Sequence, residues 1–142
     1  MDAFDADVLI YAALRIRPLG ERVAALFPVG PIDEGAPAVG VGSVLLIPEL
    51  LTKPMRDGAE SEIAALSWLL ARLDLRPVDA ATADLAAVLG AKYRLHAADA
   101  VHLATAVQVG ADRFVTNNRK DFVKAIEEIE IVYPDELDRH RA

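Results

Sequence analysis

The sequence predicts an α/β fold whose sheet is mostly parallel and covered by helices on both faces. Three observations predict it. Short β-prone segments alternate along the chain with longer helical ones, the pattern of strands joined by helical crossovers. The 142 residues are one domain's worth of chain, and 54% of them are hydrophobic, enough for a sizeable core. No internal repeat or low-complexity tract stands out against the alternation.

The elements follow in order. Ala3-Phe4 starts a first strand. Asp7 to Leu14 is helical, and Glu21 to Phe27 is a second, short helix. Phe27 to Pro37 is rich in Pro and Gly. It reads as a surface loop rather than a domain boundary, because neither flank is long enough to fold alone. Pro37 to Gly42 is β-like, with Val39 and Val41 alternating with glycines. Ser43 suits the cap of a helix running to about Lys53. Pro48 either kinks that helix or marks its first turn. Ala59 to Leu73 is an amphipathic helix with Ile63, Leu66, Leu70 and Leu73 on one face. Leu75 to Val78 is a short strand and Ala80 to Tyr93 a helix. Ala97 to Val109 is a helix that ends at Gly110, a residue type favoured just past a helix C-terminus. Arg113 to Thr116 is a strand, Asp121 to Glu128 a helix, and Ile129 to Tyr133 a last strand stopped by Pro134. The expected organisation is a single domain over 1–134 and a loose, charged tail over 135–142.

Composition narrows the function classes. The formal charge is −7 and the pI about 4.9, the opposite of a basic nucleic-acid-binding surface. Bound cations would invert that local charge, so an enzyme with metal-holding carboxylates stays open. There are no cysteines, which removes disulfides, thiolate catalysis and Cys-ligated zinc or iron–sulfur sites. No apolar run approaches the roughly 18 residues of a membrane span. Asp2 and Asp5 near the start, with no Lys or Arg before Arg15, do not suit a secretory signal. A cytoplasmic protein is expected.

The carboxylates then fall into a pattern. Right-handed crossovers bring the ligand site of such folds to the carboxyl ends of the strands. Asp5 follows the first strand, and Glu49 lies on the helix after the second. Asp99 sits in the first turn of the Ala97 helix, and Asn117, Asn118 and Asp121 follow the strand ending at Thr116. All of these are expected at one end of the sheet. Carboxylates packed together need protons or cations, and an all-oxygen donor set selects hard ions, Mg2+ or Mn2+. Such a pocket suits phosphodiester hydrolysis.

Four ordered segments resemble the PIN-domain family. Phe4-Asp5-Ala6-Asp7-Val8-Leu9-Ile10-Tyr11 is similar to its opening D-x-[NS]-V-L-I. Ile47-Pro48-Glu49-Leu50-Leu51 resembles its central glutamate segment. Ala98-Asp99-Ala100-Val101-His102-Leu103-Ala104-Thr105-Ala106 is similar to its acidic helix. Phe114-Val115-Thr116-Asn117-Asn118-Arg119-Lys120-Asp121-Phe122 looks like its close. The subgroup most resembled is the stand-alone, VapC-like toxin ribonucleases. The resemblance implies a three-layer α/β/α fold on a five-stranded parallel sheet. It also implies a Mg2+- or Mn2+-dependent endoribonuclease with one or two ions, an RNA substrate, a cognate antitoxin protein and a homodimer. The family's acids map onto Asp5, Glu49 and Asp99. The fourth acidic position falls on Asn118 or nearby, a departure for which Asp121, three residues on, is the candidate compensating metal ligand. Asp7, where the family has Asn or Ser, and Thr116 and Asn117 are expected beside the ligands or the substrate.

Each residue also has an ordinary alternative. Asp5 is otherwise a strand-end turn acid. Asp99 and Asp121 otherwise compensate helix dipoles, and Glu49 otherwise pairs with Lys53 one turn on. Asp7 is favoured as the N-cap of the first helix. His102, one turn after Asp99, suggests acid–base work, but a packed or surface histidine is the favoured reading. His96 caps or flanks that helix, and His140 is in the tail. Arg15, Arg17, Lys53, Arg56, Arg119, Lys120 and Lys124 could rim the site and hold an RNA backbone, with ordinary solvated surface slightly favoured for each. Trp68 is expected to be partly buried, with a subunit interface as the alternative. Asp5-Ala6-Asp7 also matches the D-x-D of HAD-type phosphohydrolases, but only four residues precede Asp5 where that family has a long hydrophobic strand. A reading from another class is a PIN-like module that binds RNA or a protein partner without cutting.

Overall fold

The computed structural model describes residues 1–30 and 35–140, with side chains to Leu137. Five strands form one parallel sheet: β1 (Asp2–Phe4), β2 (Gly40–Ser43), β3 (Leu73–Arg76), β4 (Arg113–Val115) and β5 (Glu130–Val132). Their spatial order is β3-β2-β1-β4-β5. The helices are α1 (Ala6–Leu14), α2 (Leu19–Ala24), α3 (Leu46–Asp57), α4 (Glu60–Leu70), α5 (Ala80–Tyr93) and α6 (Ala97–Gln108).

Strand side chains alternate between two faces, and both faces are buried. Phe4, Val115 and Val132 join Leu9, Leu46, Leu50 and Leu66 in the core under α1 to α4. Ala3, Phe114 and Ile131 join Leu89, Leu103 and Phe122 in the core under α5 and α6. This is the expected three-layer α/β/α architecture on five parallel strands. Register places Ala3 beside Phe114 and Phe4 beside Val115. At the amino edge, Arg113 grips Asp2 through Nε and Nη2, each at 2.8 Å.

Several elements differ from the sequence reading. Asp121 to Glu128 is a series of turns, not a helix. Its helical spacing is real, since Phe122, Ile126 and Ile129 are all buried. However, the short crossover from β4 to β5 also carries the loop beyond Thr116. The Lys124 ammonium donates to the Ile131 carbonyl at 2.6 Å, holding the chain out of helical form. The predicted loose tail is corrected as well: Pro134–His140 is a 3-10 helix. Leu137 within it is 2% exposed and belongs to the first core, and Arg22 donates to the Asp135 carbonyl. Residues 141–142, like 31–34 of the predicted surface loop, lie outside the described residues, as does the His140 side chain.

The other shifts are at boundaries. Asp5, not Asp7, is the N-cap of α1. Beyond α2, the Leu26 and Phe27 amides bond to Val23 and Ala24 in tighter i→i+3 turns, turning Phe27 against Phe4. Ser43 ends β2 rather than capping a helix; its Oγ accepts from the Leu45 amide. Pro48 falls in the first turn of α3, where its missing N–H costs nothing. The helix then passes through Pro54 and ends at Gly58, at φ 64°. Leu73 opens β3 instead of closing α4, whereas α5 has the predicted bounds.

Candidate functional site

Strand order reverses direction at β1 and β4. From β1 the sheet grows outward through β2 and β3; from β4 it grows the other way through β5. In open parallel sheets, ligands bind outside the carboxyl ends of strands at such a switch point. Asp5 and Thr116 are the first residues past those two ends.

Asp5 is the centre of the arrangement. It is only 5% exposed. One carboxylate oxygen accepts from the Ala6 amide at 2.9 Å and the other from the Thr116 hydroxyl at 2.8 Å. Its backbone N–H donates to the Val115 carbonyl, fixing β1 to β4 at the site. Burial raises the Asp5 carboxyl above the usual carboxylate range, against the Thr116 bond, which lowers it. Nearby Glu49 adds to the rise.

Asp7 lies one residue into α1 from Ala6. Its Oδ2 accepts from the Asn117 amide at 3.1 Å, while Oδ1 is buried without a partner among the described residues. Burial, then the charge of Asp5, pushes Asp7 up to about 7. Asp99 occupies the first turn of α6. Burial raises its carboxyl, and the charges of Asp5, Asp121 and Glu49 raise it further.

The loop after β4 is tied to itself. The Asn118 amide donates to Thr116 Oγ at 3.1 Å. Asn118 Nδ2 donates to Asp121 Oδ2 at 3.0 Å, and Asn118 Oδ1 accepts from the Asp121 amide at 3.3 Å. Both side-chain atoms of Asn118 therefore serve the turn. Asn117 contributes its backbone to Asp7.

Glu49 makes no ion pair with Lys53. It meets His102 instead, whose Nε2 stands 3.0 Å from Glu49 Oε1. His102 is 2% exposed, so the packed-histidine reading is the observed one. The sequence reading missed its tie to a carboxylate 53 residues away; the one signal was its spacing from Asp99. His96 occupies the N-cap position of α6 without a side-chain capping bond.

The basic residues divide into two groups. Arg17 pairs with Glu21 and Arg56 with Asp57. Arg119 pairs with Asp135 and stacks on Tyr133, while Lys124 pairs with Glu136. Arg15, Lys53 and Lys120 have no ion pair among the described residues. Trp68 is 38% exposed, with the Arg72 guanidinium 3.4 Å from its ring centroid.

Asp5, Asp7, Glu49, Asp99 and Asp121 thus share one electrostatic neighbourhood at the switch point. Among the described residues, no three His, Asp or Glu side chains close into a metal cage. Mg2+ does not require one. It is commonly held by one or two carboxylates, with waters and substrate phosphates completing its shell. The all-oxygen donors, their mutual repulsion and the unpartnered Asp7 Oδ1 fit a hard divalent cation.

An α/β protein with clustered acids at its sheet's switch point is the class defined by these observations. Residues 3–128 match the family model described as PIN domain, and the chain belongs to the PIN-domain family. No curated protein matches it by sequence. Among solved structures it is similar to a toxin–antitoxin complex from Klebsiella pneumoniae. That match has a TM-score of 0.70 and 21% identity, over 94% of this chain and 98% of that one. VapBC2 from Rickettsia felis, bound to a DNA fragment from its promoter, matches with a TM-score of 0.68 and 17% identity, over 93% and 97%. DNA-bound VapBC from Salmonella typhimurium matches with a TM-score of 0.69 and 18% identity, over 94% and 97%. At these identities the likeness establishes the fold. Among the described residues no helix is long and apolar enough to cross a membrane.

Proposed function

We propose that this protein is a Mg2+- or Mn2+-dependent endoribonuclease and the toxin of a type II toxin–antitoxin pair in the cytoplasm. The observation that carries the reading is the buried Asp5, held by Thr116 across the β1–β4 switch point. Asp7, Glu49, Asp99 and Asp121 stand around it in a PIN-family chain. Asp5, Glu49 and Asp99 would hold the cation, with Asp121 as a further ligand. When bound, such an ion activates a water and offsets charge on the scissile phosphate.

The chain's own residues do the positioning. Thr116 fixes the Asp5 carboxylate, and the Asn118 amide fixes Thr116 in turn. Asn118 acts through Asp121, which it holds by a reciprocal pair of bonds. Lys53, one turn beyond Glu49, and Lys120, beside Asp121, have no ion pair among the described residues and are suited to an RNA backbone.

An antitoxin partner is supported by the resemblance of the fold to chains from toxin–antitoxin complexes. It is also supported by an open hollow of about 490 Å³ between α1, α2 and α4, lined largely by apolar side chains including Ala12, Phe27, Trp68 and Leu69. A homodimer is part of the same proposal.

The test is cleavage of end-labelled structured RNAs with Mn2+ or Mg2+ against EDTA. Asp5→Asn and Asp99→Asn proteins are purified identically. Cuts that require metal and fall at least a hundredfold in both variants are expected. A second reading, a PIN-like module that binds RNA without cutting, is favoured by Asn118, whose side chain is committed to its turn. RNA binding with no cleavage by the parent protein would select that reading.

A further inference from the structure

His102 is a buried polar group that the proposed chemistry does not use. It lies on α6 within the second core region, between Val101 and the fully buried Leu103. Its Nε2 faces Glu49 Oε1 at 3.0 Å, and its Nδ1 is buried with no partner among the described residues. Opposite a carboxylate oxygen, the geometry makes Nε2 the donor. An ionised carboxylate only accepts, so the proton belongs on Nε2. The opposite tautomer would set two lone pairs face to face and leave an N–H donor buried on Nδ1 with no acceptor, a doubly unfavourable arrangement.

The pair is poorly explained as a device for stability. Only the histidine of the pair is buried. A polar side chain removed from water seldom stabilises more than an apolar residue of similar volume, and Nδ1 remains without a partner among the described residues. Its geometric consequence is clearer. Glu49 makes no ion pair with Lys53, and His102 is its protein partner. Oε1 is committed to His102, and Oε2 has no partner among the described residues. A partly exposed glutamate is thereby tied to the helix that also carries Asp99.

We propose that His102 is a positioning residue: by donating from Nε2 to Glu49 Oε1 it holds the glutamate beside Asp5 and Asp99 and so sets divalent-cation affinity. The inference deepens the metal-dependent reading above and rests on it. Partners that orient a metal-binding carboxylate typically change affinity by about 10–100-fold when removed.

The test measures Mn2+ dissociation constants by electron paramagnetic resonance of the free ion, without RNA. The proteins compared are the parent, His102→Leu, His102→Gln, His102→Asn and Glu49→Gln. Thermal melts of each are recorded in EDTA. The glutamine amide nitrogen reaches about as far as imidazole Nε2, whereas that of asparagine does not. The proposal expects His102→Leu to melt at or above the parent temperature and to bind Mn2+ 10–100-fold more weakly. His102→Gln should stay within about threefold of the parent, and His102→Asn should fall with leucine. In a Glu49→Gln background, His102→Leu should have no further effect.

Equal Mn2+ affinity in the parent and His102→Leu would overturn the proposal while leaving the metal site intact. Should the leucine protein fail to fold, glutamine and asparagine decide, and equal affinity in those two would overturn it. A parent that binds no Mn2+ at millimolar concentration would remove the metal reading itself, and this inference with it.

Discussion

Asp7 differs from the other site acids in having one carboxylate oxygen on the Asn117 amide and the other buried without a partner. Burial and the charge of Asp5 push it to about 7, so the folded protein keeps a proton that the unfolded chain gives up near pH 4. Stability from this group is full below about pH 4 and is lost as pH rises through 7. Each unit of such a displacement is worth about 1.4 kcal/mol, and partial exposure reduces the total to on the order of 2 kcal/mol. In EDTA, the Asp7→Asn protein should therefore show a flatter decline in urea-unfolding stability between pH 4.5 and 8 than the parent. The raised Asp5 and Asp99 leave part of the slope in both proteins. An identical slope in both would show that Asp7 does not titrate in that window. At this scale the sequence made Asp5 and Asp99 legible, because each follows or opens a recognisable element. The tie between Glu49 and His102 was not legible, because no local pattern relates residues on α3 to residues on α6.

Elements meet where glycine permits. α1 and α2 cross so closely at Gly20 that a Cβ there would lie 2.1 Å from the Tyr11 carbonyl oxygen. The obstacle is helix backbone, which cannot swing aside as a side chain does. Gly20→Ala should cost about 1–3 kcal/mol, read as a lower urea midpoint. An unchanged midpoint would mean that α2 is free to shift. This packing matters to the site because α1 carries Asp5 at its N-cap and Asp7 in its first turn. The helix predicted over Asp121 to Glu128 shows the limit of periodicity. Apolar residues at helical spacing mark what is buried, but they do not say which backbone path buries them. Here the Asn118–Asp121 turn and the reach of Lys124 to Ile131 chose a non-helical one.

At the scale of the molecule, the sheet gathers acids that are far apart in sequence. Their repulsion makes the metal-free fold less stable than its core alone would allow. A cation that binds only the folded state should return that stability: at a hundredfold excess over its dissociation constant, by about 2.7 kcal/mol. Mn2+ at millimolar concentration should therefore raise the parent's melting temperature by several degrees and leave Asp5→Asn almost unmoved. No shift in the parent would count against the cation site. The C-terminal 3-10 helix is part of the same whole, since Leu137 closes the core beneath α1 to α4 and Asp135 receives both Arg22 and Arg119.

The sequence by itself determined the α/β class, the order of nearly every strand and helix, and the acids that belong to one edge. Those follow from periodicity and from residues next to strand ends, which are local properties of a chain. Only the tertiary structure decided that Asp5 is the cap and Asp7 the buried acid beside it. It also decided that Asn118 serves Asp121 and that Glu49 answers to His102. The bonds of Asp5 to Thr116, of Asp7 to Asn117 and of Glu49 to His102 are selected by the register of β1 on β4 and by the closing of helices on opposite faces of the sheet. The local Asn118–Asp121 turn is anchored to the same place through Thr116. Residues distant in sequence acquire such partners only when the sheet and its helices close.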